Sequence, residues 1–562
     1  MKRMMPAWLF GMAAFLLANG MRVGPAQAQT VDSLNVTTDG IVGGASPTIN
    51  SAISLPNGQM LVGGSMAQFI SSAHHSHTNL VLLNVDGSVD DSFNANIIYI
   101  DFDLEEGNVN CLALQTNGQI LVGGYFTAIN GKNCDLLGRL NVDGTLDTSF
   151  NAGTVFGGYN GGTYCLQVLS NGQILVGSGK GLYRLNYDGS LDTNFNAGAN
   201  NYVLSLALQP DGKIVAVGSF PSSGGQSPTN LVRLNADGSL DPGFQPHTID
   251  FQGWAAGPLQ VQPDGRILVG GFFDRVDGLS HTNLVRLNAD GSLDPNFTAQ
   301  ADWHNCFGVG SFALQTDGKM LVGGDSLTLD GRPCPSLGRL NGDGSLDGSF
   351  STNVFDPGGI VLSTALEPDG RMLVGGFFSS IGGQNRVGLG RLSNTCAATQ
   401  SLNYDGTNLL WLRGGASPEV WRASFEATAD GTNWTDLGDG SRVGGGWQLT
   451  HVRVATNAMI RTRGFVTGGR YNGSSWFVES DFLPIAPILG ATGGNPGFQN
   501  RHLGFSFSGS IGSTVVIDAS SNLLNWLPLV TNVFPSGCRP FNDPGSTNSP
   551  RRFYRARWLP GG

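Results

Sequence analysis

Three observations predict an all-β protein, most of it a seven-bladed β-propeller of four-stranded antiparallel blades. A stretch typified by residues 112–150, LALQTNGQILVGGYFTAINGKNCDLLGRLNVDGTLDTSF, is rewritten about seven times along the chain. Glycine stands at roughly twice its ordinary share, 84 of 562 residues, only 13% of residues are charged, and no long amphipathic helical pattern occurs. The Asn-Gly or Asp-Gly of the first turn in each copy ends at Gly58, Gly118, Gly172, Gly212, Gly265, Gly318 and Gly370, in steps of 60, 54, 40, 53, 53 and 52 residues. Periods of this size belong to solenoids, propellers and arrays.

In chain order, residues 1–28 have the parts of a secretory signal: Lys2 and Arg3, an apolar run from Ala7 to Ala18, and Ala26-Gln27-Ala28 as a small-x-small cleavage site. The run is shorter than the ~20 residues a bilayer requires, so export with cleavage after Ala28 is expected, to a secreted or cell-surface location with no membrane span in the mature chain. Losing Lys2, Arg3 and Arg22 takes the formal charge from −11 to −14. That charge disfavours nucleic acid and anionic membranes as partners, since both require basic patches. A monomer is expected.

Residues 29–394 carry the propeller. In the second copy the four strands are expected at 109–115, 119–126, 136–141 and 145–150, each of ordinary strand length. Both hairpins fit a three-residue loop with a left-handed glycine, as in Gln209-Pro210-Asp211-Gly212-Lys213 and Asn141-Val142-Asp143-Gly144-Thr145. That register sets Leu140 opposite Leu146 and Arg139 opposite Asp147. The Arg/Asp pair recurs as Arg184/Asp192, Arg233/Asp241, Arg286/Asp294 and Arg339/Asp347; as an exposed ladder each pair is expected to contribute only about 0.2–1 kcal/mol. The last copy stops at Asn394, before its fourth strand, and Val31-Asp32-Ser33-Leu34-Asn35 resembles that missing strand. The N-terminal strand is therefore expected to close the ring, burying two exposed edges. Asp32 then becomes the partner of Arg391, while Leu82 leaves Asp90 without a counterpart.

The copies, with the signature LxxDGKxLVGGxF followed by LxRLNxDGSLDxxF over about residues 31–394, resemble the delta-60 repeat, a β-propeller family of bacterial secreted proteins. The third copy departs from it at Gly177-Ser178-Gly179-Lys180-Gly181 and is expected to be trimmed. The resemblance implies the propeller fold, which hosts binders and enzymes alike.

Two small β-sandwich-like modules are expected beyond the propeller, at 395–483 and 501–562, joined by a Gly- and Pro-rich linker at 484–500. The first resembles an immunoglobulin or fibronectin-like sandwich, with Trp411, Trp421, Trp434 and Trp447 assigned to its core. Seven cysteines without CxxC spacing give no zinc or redox motif. Cys111 with Cys134, and Cys306 with Cys334, either approach within a repeat or remain buried thiols.

The constant turns lie at one end of the strands and the divergent loops at the other, which makes the divergent end the expected contact surface. Its candidate ligand-binding residues are Tyr159, Trp254, Trp303 and His304, with Phe156 and Phe251 nearby. Asp101, Asp103, Glu105 and Glu106 form an acidic loop suited to calcium, the one cofactor the sequence suggests. His74, His75 and His77 cluster without an accompanying carboxylate or cysteine, and are read as a solvated loop. The Asn-x-Asp-Gly turn is not an EF-hand, because Arg233 and Phe244 fall where carboxylates are required, and no GxSxG, HExxH or P-loop occurs. The expected function is non-enzymatic binding or adhesion to an extracellular glycan or protein, with the C-terminal modules as spacers or surface attachments. The alternatives are a polysaccharide hydrolase or lyase, or a purely structural surface protein.

Overall fold

The structure is a computed structural model that describes residues 27–28, 48–99, 107–153, 161–198, 202–220, 229–302, 308–351, 359–482 and 488–559, with short breaks inside these ranges. The signal region before residue 27, and Asp32 with the rest of the expected closing strand, lie outside the described residues.

Seven antiparallel sheets follow one another in sequence, each with an inner, a middle and an outer strand. The second, Asn108–Leu114, Ile120–Tyr125 and Leu137–Leu140, is representative. The inner strands of the others are Thr48–Ser54, Thr163–Val168, Val203–Leu208, Ile249–Val261, Val309–Leu314 and Ile360–Leu366. Each inner strand packs on the next, and that of the seventh blade packs on that of the first.

The expected register holds: Leu140 faces Leu146, and the Asp147 N–H donates to the Arg139 carbonyl at 2.8 Å. The expected fourth strand does not. Asp147 Oδ1 accepts the Ser149 N–H at 2.9 Å and the Ser149 hydroxyl at 2.6 Å, so the chain turns after two residues, and only a single bridge remains of the strand. An Asx turn here competes with the ladder and wins.

The Arg/Asp pairs are buried or nearly so, not exposed, because the same turn folds an aromatic ring under each guanidinium. Arg339 is 0% exposed; its Nε donates to Asp347 at 2.8 Å and the Phe350 ring lies 4.7 Å below it. The remaining nitrogens reach the next blade: Arg139 Nη1 donates to the Tyr187 carbonyl, Arg233 to Ala289, Arg286 to Gly342 and Arg339 to the Asn394 side chain. Arg391 of the seventh blade continues the series into the first, donating to the Val85 carbonyl at 3.0 Å, and sits 3.6 Å from Glu367. In the first blade, where Leu82 replaces the arginine, Asp90 does have a counterpart: the Gln59 amide donates to it at 2.7 Å.

The Gly-Gly of the middle strand has two jobs. A Cβ on Gly123 would lie 2.6 Å from the Thr163 side chain of the next blade, and one on Gly124 would lie 2.0 Å from the Asn108 carbonyl where the inner strand bulges. At Gly375 the neighbour is Ile49, again joining the seventh blade to the first. Cys111 and Cys165 are free thiols at the repeat position of Ser205 and Ser363, whose hydroxyls accept the N–H of Leu259 and Ala52 in the following blade. Burial pushes both thiols up, and that of Cys134 up to about 12. Cys334 is also buried.

Residues 398–482 form two packed four-stranded sheets around Trp411, Phe425, Trp447 and Phe477, so Trp411 and Trp447 are core as expected. This module is seated on the propeller. Its hairpin Met459–Gly468 and Gly473–Phe482 crosses the axis at the constant-turn end and touches inner strands of several blades. Trp476 Nε1 donates to the Gln115 carbonyl at 2.9 Å, the Glu419 N–H to Leu314 at 2.7 Å, and Arg463 Nη1 to Thr116 at 2.8 Å. Beyond it, the expected linker supplies Ile488–Gly490 and Gly497–Gln499, which pair with His502–Ser508 and so belong to the last module.

Replacing Arg339 by Ala is expected to cost about 3 kcal/mol, the low end for breaking a buried pair, because Lys319 Nζ still holds Asp347 at 2.8 Å; chemical denaturation measures it. Hydrogen bonds from Lys213, the Gly243 N–H and Arg233 hold Asp241 at about 2. Its contribution is therefore complete above the unfolded value of ~3.9 and is lost as pH falls toward 2. The urea midpoint is expected to drop over that interval, and Asp241→Asn to lower it at pH 7 while flattening the acid slope.

Candidate functional site at the divergent channel mouth

With the constant-turn end covered by the module, the divergent end is where the middle strands finish and the inner strands begin. The GGxF motif organises it by alternation. Its last residue points into a core, as Phe126, Phe220 and Phe273 do at no more than 1% exposure, and the residue before it turns outward. The residues at that position around the ring are Ser65, Tyr125, Gly179, Ser219, Phe272, Asp325 and Phe377; Asp325 is the exception to the outward rule, buried at 2% exposure. Tyr125 and Phe377 are exposed, at 37% and 39%.

Tyr125 is the centre of the best-built cluster. Its ring stacks on Tyr99 with centroids 4.6 Å apart and planes at 14°, and the two hydroxyls are 3.2 Å apart. Its cross-strand partner Asn108 begins a chain of amides. Asn50 Nδ2 donates to Asn108 Oδ1 at 2.8 Å, Asn108 Nδ2 to Asn110 Oδ1 at 3.0 Å, and Asn110 Nδ2 to the Thr163 carbonyl at 3.0 Å. Asn50 and Asn110 are buried and spend their amides on this chain, while Asn108 is half-buried beside the exposed Tyr125, so the accessible surface is aromatic and uncharged and suits a neutral ligand.

Most of the residues predicted from sequence fall elsewhere. Tyr159, Trp303, His304 and Phe156, and the whole acidic loop of Asp101, Asp103, Glu105 and Glu106, lie outside the described residues, as do His74 and His75. Trp254 sits in the long inner strand Ile249–Val261 of the fifth blade, where the pairing shifts between Phe251 and Ala256; its side chain is not described. Phe251 packs edge-on against Phe273 at 5.6 Å, which covers the blade end. His77 is buried, 3.5 Å from Asp91. Tyr125 occupies the unspecified x of GGxF, so the repeat signature does not single it out; its signal is an aromatic at an outward-facing position.

The described residues show no group of three or more His, Cys, Asp or Glu placed to hold a metal. The repeated aspartates are held ionised by their turns: the Thr145 hydroxyl and N–H lower Asp143, and the Ser190 hydroxyl and N–H lower Asp188. Carboxylates fixed in this way are poor general acids near neutrality. His247 is buried with one ring nitrogen 2.5 Å from Asp277 and the other 2.5 Å from the Gly291 carbonyl, so both are engaged in holding a turn.

Seven segments, residues 55–93, 115–150, 169–195, 209–244, 262–297, 315–350 and 367–394, match a family model described as a domain of unknown function (DUF5122) beta-propeller. No curated protein matches the chain. Among solved structures, an extracellular domain from B. thetaiotaomicron is 10% identical with a TM-score of 0.38, covering 80% of this chain and 58% of its own. A streptogramin B lyase is 13% identical with a TM-score of 0.40, covering 65% and 97%. PorZ, a surface component of the type-IX secretion system of Porphyromonas gingivalis, is 10% identical with a TM-score of 0.29, covering 75% and 70%.

Proposed function

From the premise that residues 55–394 are repeats of a β-propeller family, we propose that the protein is an exported, non-enzymatic binding scaffold that presents its divergent channel mouth to an extracellular glycan. The observation that carries this reading is the stacked Tyr99–Tyr125 pair beside the Asn50–Asn108–Asn110 amide chain. The covered opposite end supports it, since a ligand approaching along the axis meets the module there. In this reading the N-terminal segment, with Asp32 as the partner of Arg391, completes the seventh blade, and the acidic loop at Asp101, Asp103, Glu105 and Glu106 takes calcium.

A glycan array probed with the mature chain, with and without calcium, tests the reading. Binding without turnover is expected, and Tyr125→Ala should weaken it roughly tenfold, the equivalent of about 1.4 kcal/mol, with an unchanged melting temperature. Release of depolymerised product, or a Tyr125→Ala protein that binds as well as the parent, would overturn it.

A further inference from the structure

A cleft of about 70 Å³ lies at the other end of the molecule, between the first-hairpin turns of the fourth and fifth blades and the module seated on them. Its wall carries two indoles, Trp421 and Trp447, the amides of Gln260 and Gln262, and Arg442 beside Glu419. Arg442 Nη1 donates to Glu419 Oε1 at 2.6 Å and its guanidinium lies 5.2 Å from the Trp447 ring centre. The single charge pair is therefore internally neutralised.

Two polar atoms of residues in this wall are shielded from solvent and have no hydrogen-bond partner among the described residues: the indole N–H of Trp421, and Oε1 of Gln262, a residue only 8% exposed whose counterparts Gln115 and Gln315 at the same repeat position share that state. Folded proteins rarely leave such groups unmet, because each retains its desolvation cost without a compensating bond. One orphan is a donor and the other an acceptor. An anion satisfies only the first and a cation only the second, whereas a hydroxyl satisfies both. Indole surface beside them accepts the apolar face of a sugar ring, and a neutralised Arg442 offers no net charge to select a charged ligand.

We propose that this cleft is a second binding site, for a neutral saccharide, held jointly by the propeller and the module. It is separate from the tyrosine platform and stands or falls independently of it. Occupation satisfies the Trp421 N–H and the Gln262 carbonyl at once and ties the fifth blade to the module through the sugar.

The test uses the full mature chain carrying Tyr125→Ala, which removes the platform at the other end. Isothermal titration with maltohexaose, cellohexaose, xylohexaose and mannohexaose is expected to show binding by at least one. Adding Trp421→Phe, which keeps a ring and deletes the N–H, or Gln262→Met, which keeps the length and deletes the amide, should each weaken that binding roughly tenfold, one hydrogen bond's worth. The melting temperature should hold or rise in both, because each removes a group without a partner. Three outcomes overturn the proposal: none of the four sugars binds, binding survives both substitutions unchanged, or both substitutions lower the melting temperature as the loss of satisfied bonds does. The first two leave a cleft that holds water alone.

Discussion

The structure depends on the guanidinium that six of the seven blades extend to the next. Within its own blade the arginine is paired to an aspartate and stacked on a phenylalanine; across the blade boundary it meets a turn carbonyl or amide. A carbonyl at that distance from the cation is worth more than a neutral hydrogen bond. The group also fixes the angle between sheets, because its planar fork must serve both blades together. Lysine has one point of charge and no plane, so it cannot replace this geometry. The chain of Arg139, Arg184, Arg233, Arg286, Arg339 and Arg391 turns seven similar sheets into neighbours at a common spacing.

Two smaller features follow from that spacing. Blades set this closely leave no room for a Cβ at Gly123 or Gly375, the first glycine of the pair, and the N–H groups of Leu259 and Ala52 find hydroxyls on the preceding blade. The two ends of the molecule then diverge in character. One end is made of near-identical turns and is covered by the module; the other is made of dissimilar loops, with an aromatic and amide cluster at Tyr99, Tyr125 and Asn108.

Local features were legible in the sequence and non-local ones were not. Turn type and register at Asn141-Val142-Asp143-Gly144-Thr145 follow from the residues of the turn itself, and Leu140 does face Leu146. The burial of Arg339 was invisible because half of its surroundings come from residues some fifty positions away. The missing fourth strand was misread for a different reason: alternation at Thr145 to Phe150 suggests an extended chain, but Asp147 takes the Ser149 N–H and bends it. Tyr125 went unnoticed because a repeat signature directs attention to what recurs, and this column varies. The seating of the module depends on Trp476 and Glu419 meeting main-chain atoms of distant turns, and no pattern of their own types announces that.

The hairpin that crosses the axis changes how the molecule carries load. Ser474 pairs with Ala113, so the module's sheet runs on into the second blade, while the same hairpin touches inner strands elsewhere in the ring. Tension applied from the C-terminal side therefore reaches the propeller at its hub. There it is shared as shear among several inner strands, each clamped between neighbours, and does not peel an outer strand from one blade. A tether attached at the hub of a ring resists force in a way that one attached at the rim does not.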